Sequence, residues 1–379
     1  MQSTASGARS FERSLNWALG LAALVGAACA AIERGPRAPV LSARSEQAAP
    51  SARSERLHAA CTKFVAERGV VGARVVVLEN GELVFHGGFG FSDREAQRAT
   101  SSDTLFRWGS ISKPVAAALV LQFVEEGKLD LDRDVRGYAS ELAKLSAPIT
   151  LRQLLSHTSG VRHYAAGKVD NSAKQRTTRE ALELFLADPL LFPPGTEHSY
   201  STHAYTIVAH VLESVANQPF ERLVRERIAK RGAPTLDCER RREDKPARAK
   251  LYNLEVGRVA LLQLVAEDNS WKYAGGGLES TALDLARFGQ LMLDDELITR
   301  ASRDQMWTPL KLADGSTRDY GLGWRLDPAR GVVRHSGSQQ GCNTELLLDP
   351  ARARVVAVMM NTQGGGAPEL GQELFALLD

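Results

Sequence analysis

The chain has 379 residues, 47 of them basic and 45 acidic, for a formal net charge of +2; 44% are hydrophobic and 24% charged. That length supports a large single core or two subdomains, and the composition is that of an ordinary globular protein. So even a charge balance argues against a broad nucleic-acid surface, and the densest basic run, Arg240-Arg241-Arg242, meets Glu243 and Asp244 at once and reads as a solvated loop.

The chain opens with Arg9 and Arg13 ahead of an apolar stretch from Leu15 to Ile32 that contains Ala28-Cys29-Ala30. A charged segment, an apolar segment and a small-x-small site make an export signal. Residues 1–32 are therefore expected to direct the protein to the periplasm. The segment is either cleaved or kept as a membrane anchor, since its length nearly spans a bilayer. Organelle targeting is the alternative. Residues 33–54, rich in Ala, Ser, Pro and Arg, read as a flexible tether, and residues 55–379 as the folded unit.

Leu57, Cys61, Phe64 and Val65 recur at helical spacing before Gly69. Ala73–Leu78 is a β-branched run, Asn80-Gly81 a hairpin turn, and Glu82–Phe91 the returning strand. Ile111–Glu126 is a helix with Pro114 in its first turn and Gly127 as terminator. From about 128 to 250 the pattern is mainly helical: Thr150–Ser156, a capping box from Thr177 and Glu180, and Ala204–Val215. Thr281 and Asp284 cap a helix carrying Leu285, Phe288 and Met292. Thr344–Leu348 and Arg354–Met360 read as paired strands, and Pro368–Leu378 as a closing helix. The expected fold class is α+β: an antiparallel sheet flanked by helices, built from both chain ends, with a mainly helical subdomain inserted.

Chemistry concentrates in three places. Ser110 and Lys113 lie three residues apart, on one face of a helix start where the dipole favours negative charge. A serine hydroxyl needs a neighbour to take its proton, and burial lowers a lysine's pKa enough for it to do so. Alone, the pair reads more readily as an N-cap serine beside a solvated lysine. Tyr200, on a short turn before the helix at Ala204, can present a phenol as a proton shuttle. His335-Ser336-Gly337 lies on a strand from Val332, where the glycine would let a substrate approach the backbone. The amides of Ser110 and Ser338 could then form an oxyanion hole.

The order S-x-x-K, Y-x-x, H-x-G, each on the element it needs, resembles the superfamily of penicillin-binding proteins and class C β-lactamases. The connecting stretches Phe106–Pro114, Leu154–Gly160, Pro193–Thr196, Gly275–Gly277 and Tyr320–Trp324 carry the same resemblance. Tyr200-Ser201-Thr202 and Asn269–Gly277 look most like the mitochondrial serine β-lactamase-like protein and its bacterial relatives. The resemblance implies a β-lactamase/transpeptidase-like fold with Ser110 as acylated nucleophile, Lys113 as its proton acceptor and Tyr200 as shuttle. It also implies Thr202, His335, Ser336 and Gly337 as substrate-binding residues, and no cofactor. Thr202 stands where Asn is common, and His335 where Lys is, a weaker cation near neutral pH. These departures point toward a peptidase or D-Ala-D-Ala carboxypeptidase-like amidase, then an esterase, with β-lactam hydrolysis least favoured. A non-catalytic scaffold or filament-forming protein and a penicillin-binding sensor are the alternatives.

The eight histidines form no HExxH pair, and Cys29, Cys61, Cys238 and Cys342 have no CxxC spacing. No metal site and no disulfide framework are expected, although one bridge stays open.

Overall fold

A computed structural model describes residues 51–164, 175–241, 243–254, 261–264 and 267–379. The expected export signal and nearly all of the expected tether lie outside these residues. Among the described residues no helix is long and apolar enough to cross a membrane.

A seven-stranded antiparallel sheet organises the molecule. Its strands are β1 (Gly72–Glu79), β2 (Glu82–Asp93), β3 (Arg98–Ala99), β4 (Arg325–Asp327), β5 (Val332–Gln339), β6 (Cys342–Asp349) and β7 (Arg354–Met360), in the spatial order β4-β5-β6-β7-β1-β2-β3. The turn between β1 and β2 is the Asn80-Gly81 pair, both with left-handed φ (52° and 78°), which suits the twist of a tight hairpin. β1 pairs with β7 from Ala73↔Met360 to Glu79↔Arg354, so the two chain ends meet at the centre of the sheet as expected.

Alternation along each strand divides the core in two. On one face Val75, Val77, Val356 and Val358 meet Leu57, Cys61 and Phe64 of α1 (Ala52–Arg68) and Leu370, Leu374 and Phe375 of the closing helix. On the other, Val76, Leu346, Leu348 and Ala357 meet helices α2 (Ser112–Glu125), α3 (Thr202–Ala216) and α4 (Ala282–Leu293). The closing helix is α5 (Ala367–Ala376). α2 is apolar all round and buried from Val115 to Leu121, which makes it the central post between sheet and helical block. Thr150, Thr177 and Thr281 accept the N-terminal amides of their helices, the first two as capping boxes.

The inserted block is less purely helical than its pattern suggests. Asp237–Cys238 pairs with Leu278–Ser280, which also pairs with Phe106–Arg107. The Phe106–Arg107 strand of this small sheet ends three residues before Ser110 and carries the chain into the site.

Candidate active site

The segment leading to Ser110 is fixed from behind. The Trp108 amide donates to Leu278 O (2.8 Å), and its indole donates to Ser280 Oγ (2.7 Å). Gly109 then turns with φ +54°, and a side chain there would lie 3.1 Å from Gly337 Cα and from the Ser338 nitrogen. Only glycine lets the chain bend this tightly against β5. Ser110 follows in a single 3-10 turn (Gly109–Ile111) that runs into α2, half-buried, with Lys113 one turn on.

Lys113 is 0% exposed. Its Nζ lies 3.2 Å from Ser110 Oγ, 3.3 Å from Thr202 Oγ1 and 2.6 Å from Gly275 O. Burial, then the charges of Lys272 and Arg325, holds its pKa well below the usual lysine range. A neutral amine has two N–H donors and one lone pair. With donors spent on Gly275 and Thr202, the lone pair is left for the Ser110 hydroxyl. Such an amine can accept that proton.

Tyr200 completes the group. Lys113 Nζ is 4.6 Å from its ring centroid. Burial raises the phenol's pKa, partly offset by a hydrogen bond with Ser110, so it is a neutral donor–acceptor at ordinary pH. The Tyr200 loop hangs on His157: Ser199 N donates to His157 O (2.9 Å) and Ser201 N to His157 Nδ1 (3.1 Å). The His157 ring lies 4.2 Å from that of Tyr200.

The third motif is arranged differently from expectation. His335 is 1% exposed and lies in the core. Its Nδ1 donates to Ser336 O (2.8 Å), so Nε2 must accept, and it does so from the Tyr320 hydroxyl (3.1 Å). Tyr320 in turn lies 3.1 Å from His157 Nε2. Because His157 Nδ1 accepts from Ser201 N, its proton sits on Nε2 and is donated to Tyr320. One directional chain therefore runs from Ser201 N through His157, Tyr320 and His335 to Ser336 O. Burial, above all, keeps both histidines well below their usual pKa. His335 is thus neutral and positions the strand; it is not a cation facing an open cleft.

Two other expectations change. Thr202 is 2% exposed and serves Lys113, not an open cleft. Gly337 is required by packing behind the strand: a Cβ there would sit 2.1 Å from Trp108 O and 2.3 Å from Thr344 Oγ1. Ser336 is half-buried and Ser338 exposed, and the Ser338 nitrogen lies 3.1 Å from where a Cβ on Gly109, the residue before Ser110, would sit.

Lys272, Tyr320 and Arg325 enter the site without having been singled out. Tyr320 and Lys272 sit inside stretches that carry the family resemblance, which was their available signal. The exposed Arg325 guanidinium lies 6.0 Å from the ring centroids of both Tyr200 and Tyr320. Behind them a buried pair, Arg107 Nη2 to Glu239 Oε1 (2.7 Å), ties the Gln339–Gly341 turn down through Arg107 Nη1 to Gln340 O (2.8 Å). Among the described residues no group of three His, Cys, Asp or Glu side chains could hold a metal, and Cys61, Cys238 and Cys342 are buried free thiols.

Comparison with known proteins agrees with this architecture. The Beta-lactamase family model matches residues 57–378. "Penicillin-binding protein 4*" of Bacillus subtilis (strain 168) is 27% identical over 303 residues, which is 74% of this chain and 66% of that protein, just under two thirds of its length. "Serine beta-lactamase-like protein LACTB, mitochondrial" of Homo sapiens is 26% identical over 413 residues, covering 79% of this chain and 75% of that one. The solved octameric penicillin-binding protein homologue from Pyrococcus abyssi superposes with a TM-score of 0.75 at 25% identity, covering 86% and 77% of the two chains. The chain belongs to the Beta-lactamase family of serine hydrolases, with the β-lactamase/transpeptidase-like fold.

Proposed function

We propose that the protein is a serine acyl hydrolase acting on amide, peptide or ester bonds. The observation that carries this reading is the wholly buried Lys113 amine 3.2 Å from Ser110 Oγ, with its other hydrogen-bonding capacity spent on Gly275 and Thr202. Ser110 Oγ attacks the substrate carbonyl carbon while its proton passes to Lys113 Nζ. The amides of Ser110 and Ser338 hold the oxyanion. As the tetrahedral species collapses, the carbonyl–leaving-group bond breaks and Tyr200 delivers a proton to the leaving atom, itself reprotonated from Lys113. Water then attacks the acyl-enzyme, losing its proton along the same route, and Ser110 Oγ leaves with a proton. Every atom is accounted for by substrate and water, and no cofactor is needed.

An amidase or peptidase of the D-Ala-D-Ala carboxypeptidase kind is the preferred form, an esterase the next, and a β-lactamase the least. The neutral, buried His335 and the inward Thr202 support that order, because neither offers a β-lactam the cation or amide it needs. The reading includes export directed by residues 1–32. It also includes self-assembly, favoured by the octameric relative.

A fluorescent fluorophosphonate tests the chemistry. The wild type is expected to label, and Ser110→Ala to lose the label. A wild type that no serine-directed probe labels would overturn the reading in favour of a scaffold, and a label that never turns over would favour a sensor.

A further inference from the structure

A second lysine stands beside the nucleophile. Lys272 is 6% exposed, and its Nζ donates to Gln339 Oε1 at 3.0 Å. An ammonium has three donors. Among the described residues no carboxylate comes within ion-pair distance of it. Glu267 and then Glu239 act on it through charge alone, and Glu239 is already spent, with Oε1 on Arg107 and Oε2 on Asn269 Nδ2 (2.6 Å). The Gln339 amide nitrogen is buried with no partner. Aromatic walls close the remainder: the Trp271 and Tyr164 ring centroids lie 5.3 and 5.8 Å from Nζ.

Gly276 locates this pair against the reaction centre. A Cβ built on Gly276 would lie 3.3 Å from Gln339 Oε1, 3.8 Å from Lys272 Cδ and 3.8 Å from the carbonyl carbon of Gly109, the atom bonded to the Ser110 nitrogen. The missing side chain leaves room between the cation and the nucleophile's amide. An under-satisfied buried cation beside an orphan donor is costly unless an anion completes it.

We propose that Lys272 and the Gln339 amide nitrogen bind a carboxylate carried by the acyl part of the substrate. The assignment to the acyl part rests on the serine hydrolase reading. Along β5 the Ser338 amide lies between His335, whose ring is 6.5 Å from that of the proposed leaving-group donor Tyr200, and Gln339 on the opposite side. The leaving group departs toward Tyr200, so the retained group extends toward Gln339 and Lys272. Burial, then the Arg107 charge, pushes Lys272 down to about 8, which keeps it largely protonated at neutral pH.

The test compares p-nitrophenyl hydrogen adipate with p-nitrophenyl hexanoate, which differ by a terminal carboxylate in place of a methyl group. For the full chain, kcat/KM is expected to favour the adipate ester at least tenfold. Lys272→Met is expected to collapse that ratio to one or below, and Lys272→Arg to restore part of it. Should Lys272→Met fail to fold by circular dichroism, Gln339→Leu is read instead, with the ratio again expected to fall. A wild-type ratio of one, or a ratio unchanged in the variants while fluorophosphonate still labels Ser110, overturns this inference and leaves the hydrolase reading standing. A wild type that neither labels nor cleaves either ester overturns both.

Discussion

Lys113 donates its shortest hydrogen bond, 2.6 Å, to the carbonyl oxygen of Gly275 and not to Ser110. That carbonyl fixes where the amine's lone pair points. Gly275 can approach because it lacks a side chain: a Cβ there would fall 2.7 Å from Thr202 Cγ2. The position of the Lys113 amine is thereby set by two residues outside the S-x-x-K motif.

Removing the amine should remove the proton acceptor and little else. Lys113→Met is expected to lower kcat/KM by about 10²–10⁴, the usual contribution of a positioned base. Lys113→Arg should not rescue it, because a guanidinium stays charged. Since burial depresses the Lys113 pKa, the neutral amine persists well below the ordinary lysine range. A pH–rate profile should therefore stay high through neutrality; an acid limb near that of a solvated lysine would contradict this.

The chain through Tyr320 makes a spectroscopic prediction. Imidazole ¹⁵N shifts should report the Nε2–H tautomer for His157 and the Nδ1–H tautomer for His335. Tyr320→Phe leaves His335 Nε2 without its donor, at a cost of about 1–3 kcal/mol for a buried unpaired group. The His335 ¹⁵N resonances should move, and Ser110 labelling should slow. Unchanged resonances in Tyr320→Phe would sink the chain.

Gly337→Ala should destabilise the protein by about 1–3 kcal/mol or more, the range for overpacking, because its Cβ would be driven into the Trp108 carbonyl. Thermal unfolding measures this directly. The same displacement moves the Ser338 amide, so labelling of the folded fraction should slow as well.

Acid should destabilise the fold before carboxylates titrate. His157 and His335 lie well below their usual pKa, and His163 and His203 are pushed down to about 4 and about 3, chiefly by burial. The folded values are depressed, so the unfolded chain binds more protons below about pH 6.5. Their contribution is present above that pH and is lost as pH falls toward the folded values. Urea midpoints measured at pH 7.5 and 5.0 should show the drop; a midpoint that rises on acidification would contradict it.

Local chemistry made much of this legible. Asn80-Gly81 reads as a hairpin because both residues tolerate left-handed φ, and Thr177 with Glu180 reads as a helix start because each satisfies an amide of the other's turn. Ser110 and Lys113 are close in sequence, so helical spacing alone brings them together. His335 is different. Its neutrality depends on Tyr320 and, beyond it, on His157, 178 positions earlier in the chain, and no local pattern reports that closure. Lys272 is obscured by the rule that lysines are solvated, which fails here because Gln339 and two aromatic rings enclose it. Gly337 was legible as a necessary glycine but not for the right reason, since only the packed strand shows which neighbour it must clear.

The pairing of β1 with β7 has a consequence for biosynthesis. β1, the first strand among the described residues, has one neighbour within reach as it emerges from the ribosome, β2, and must wait for nearly the whole remaining chain before its other edge is filled at Ala73↔Met360. Contacts so far apart in sequence form slowly and leave a template for mispairing in the meantime. Nascent chains halted before residue 354 would carry Ser110 and Lys113 yet present that bare valine-rich edge, a species suited to capture by holdase chaperones.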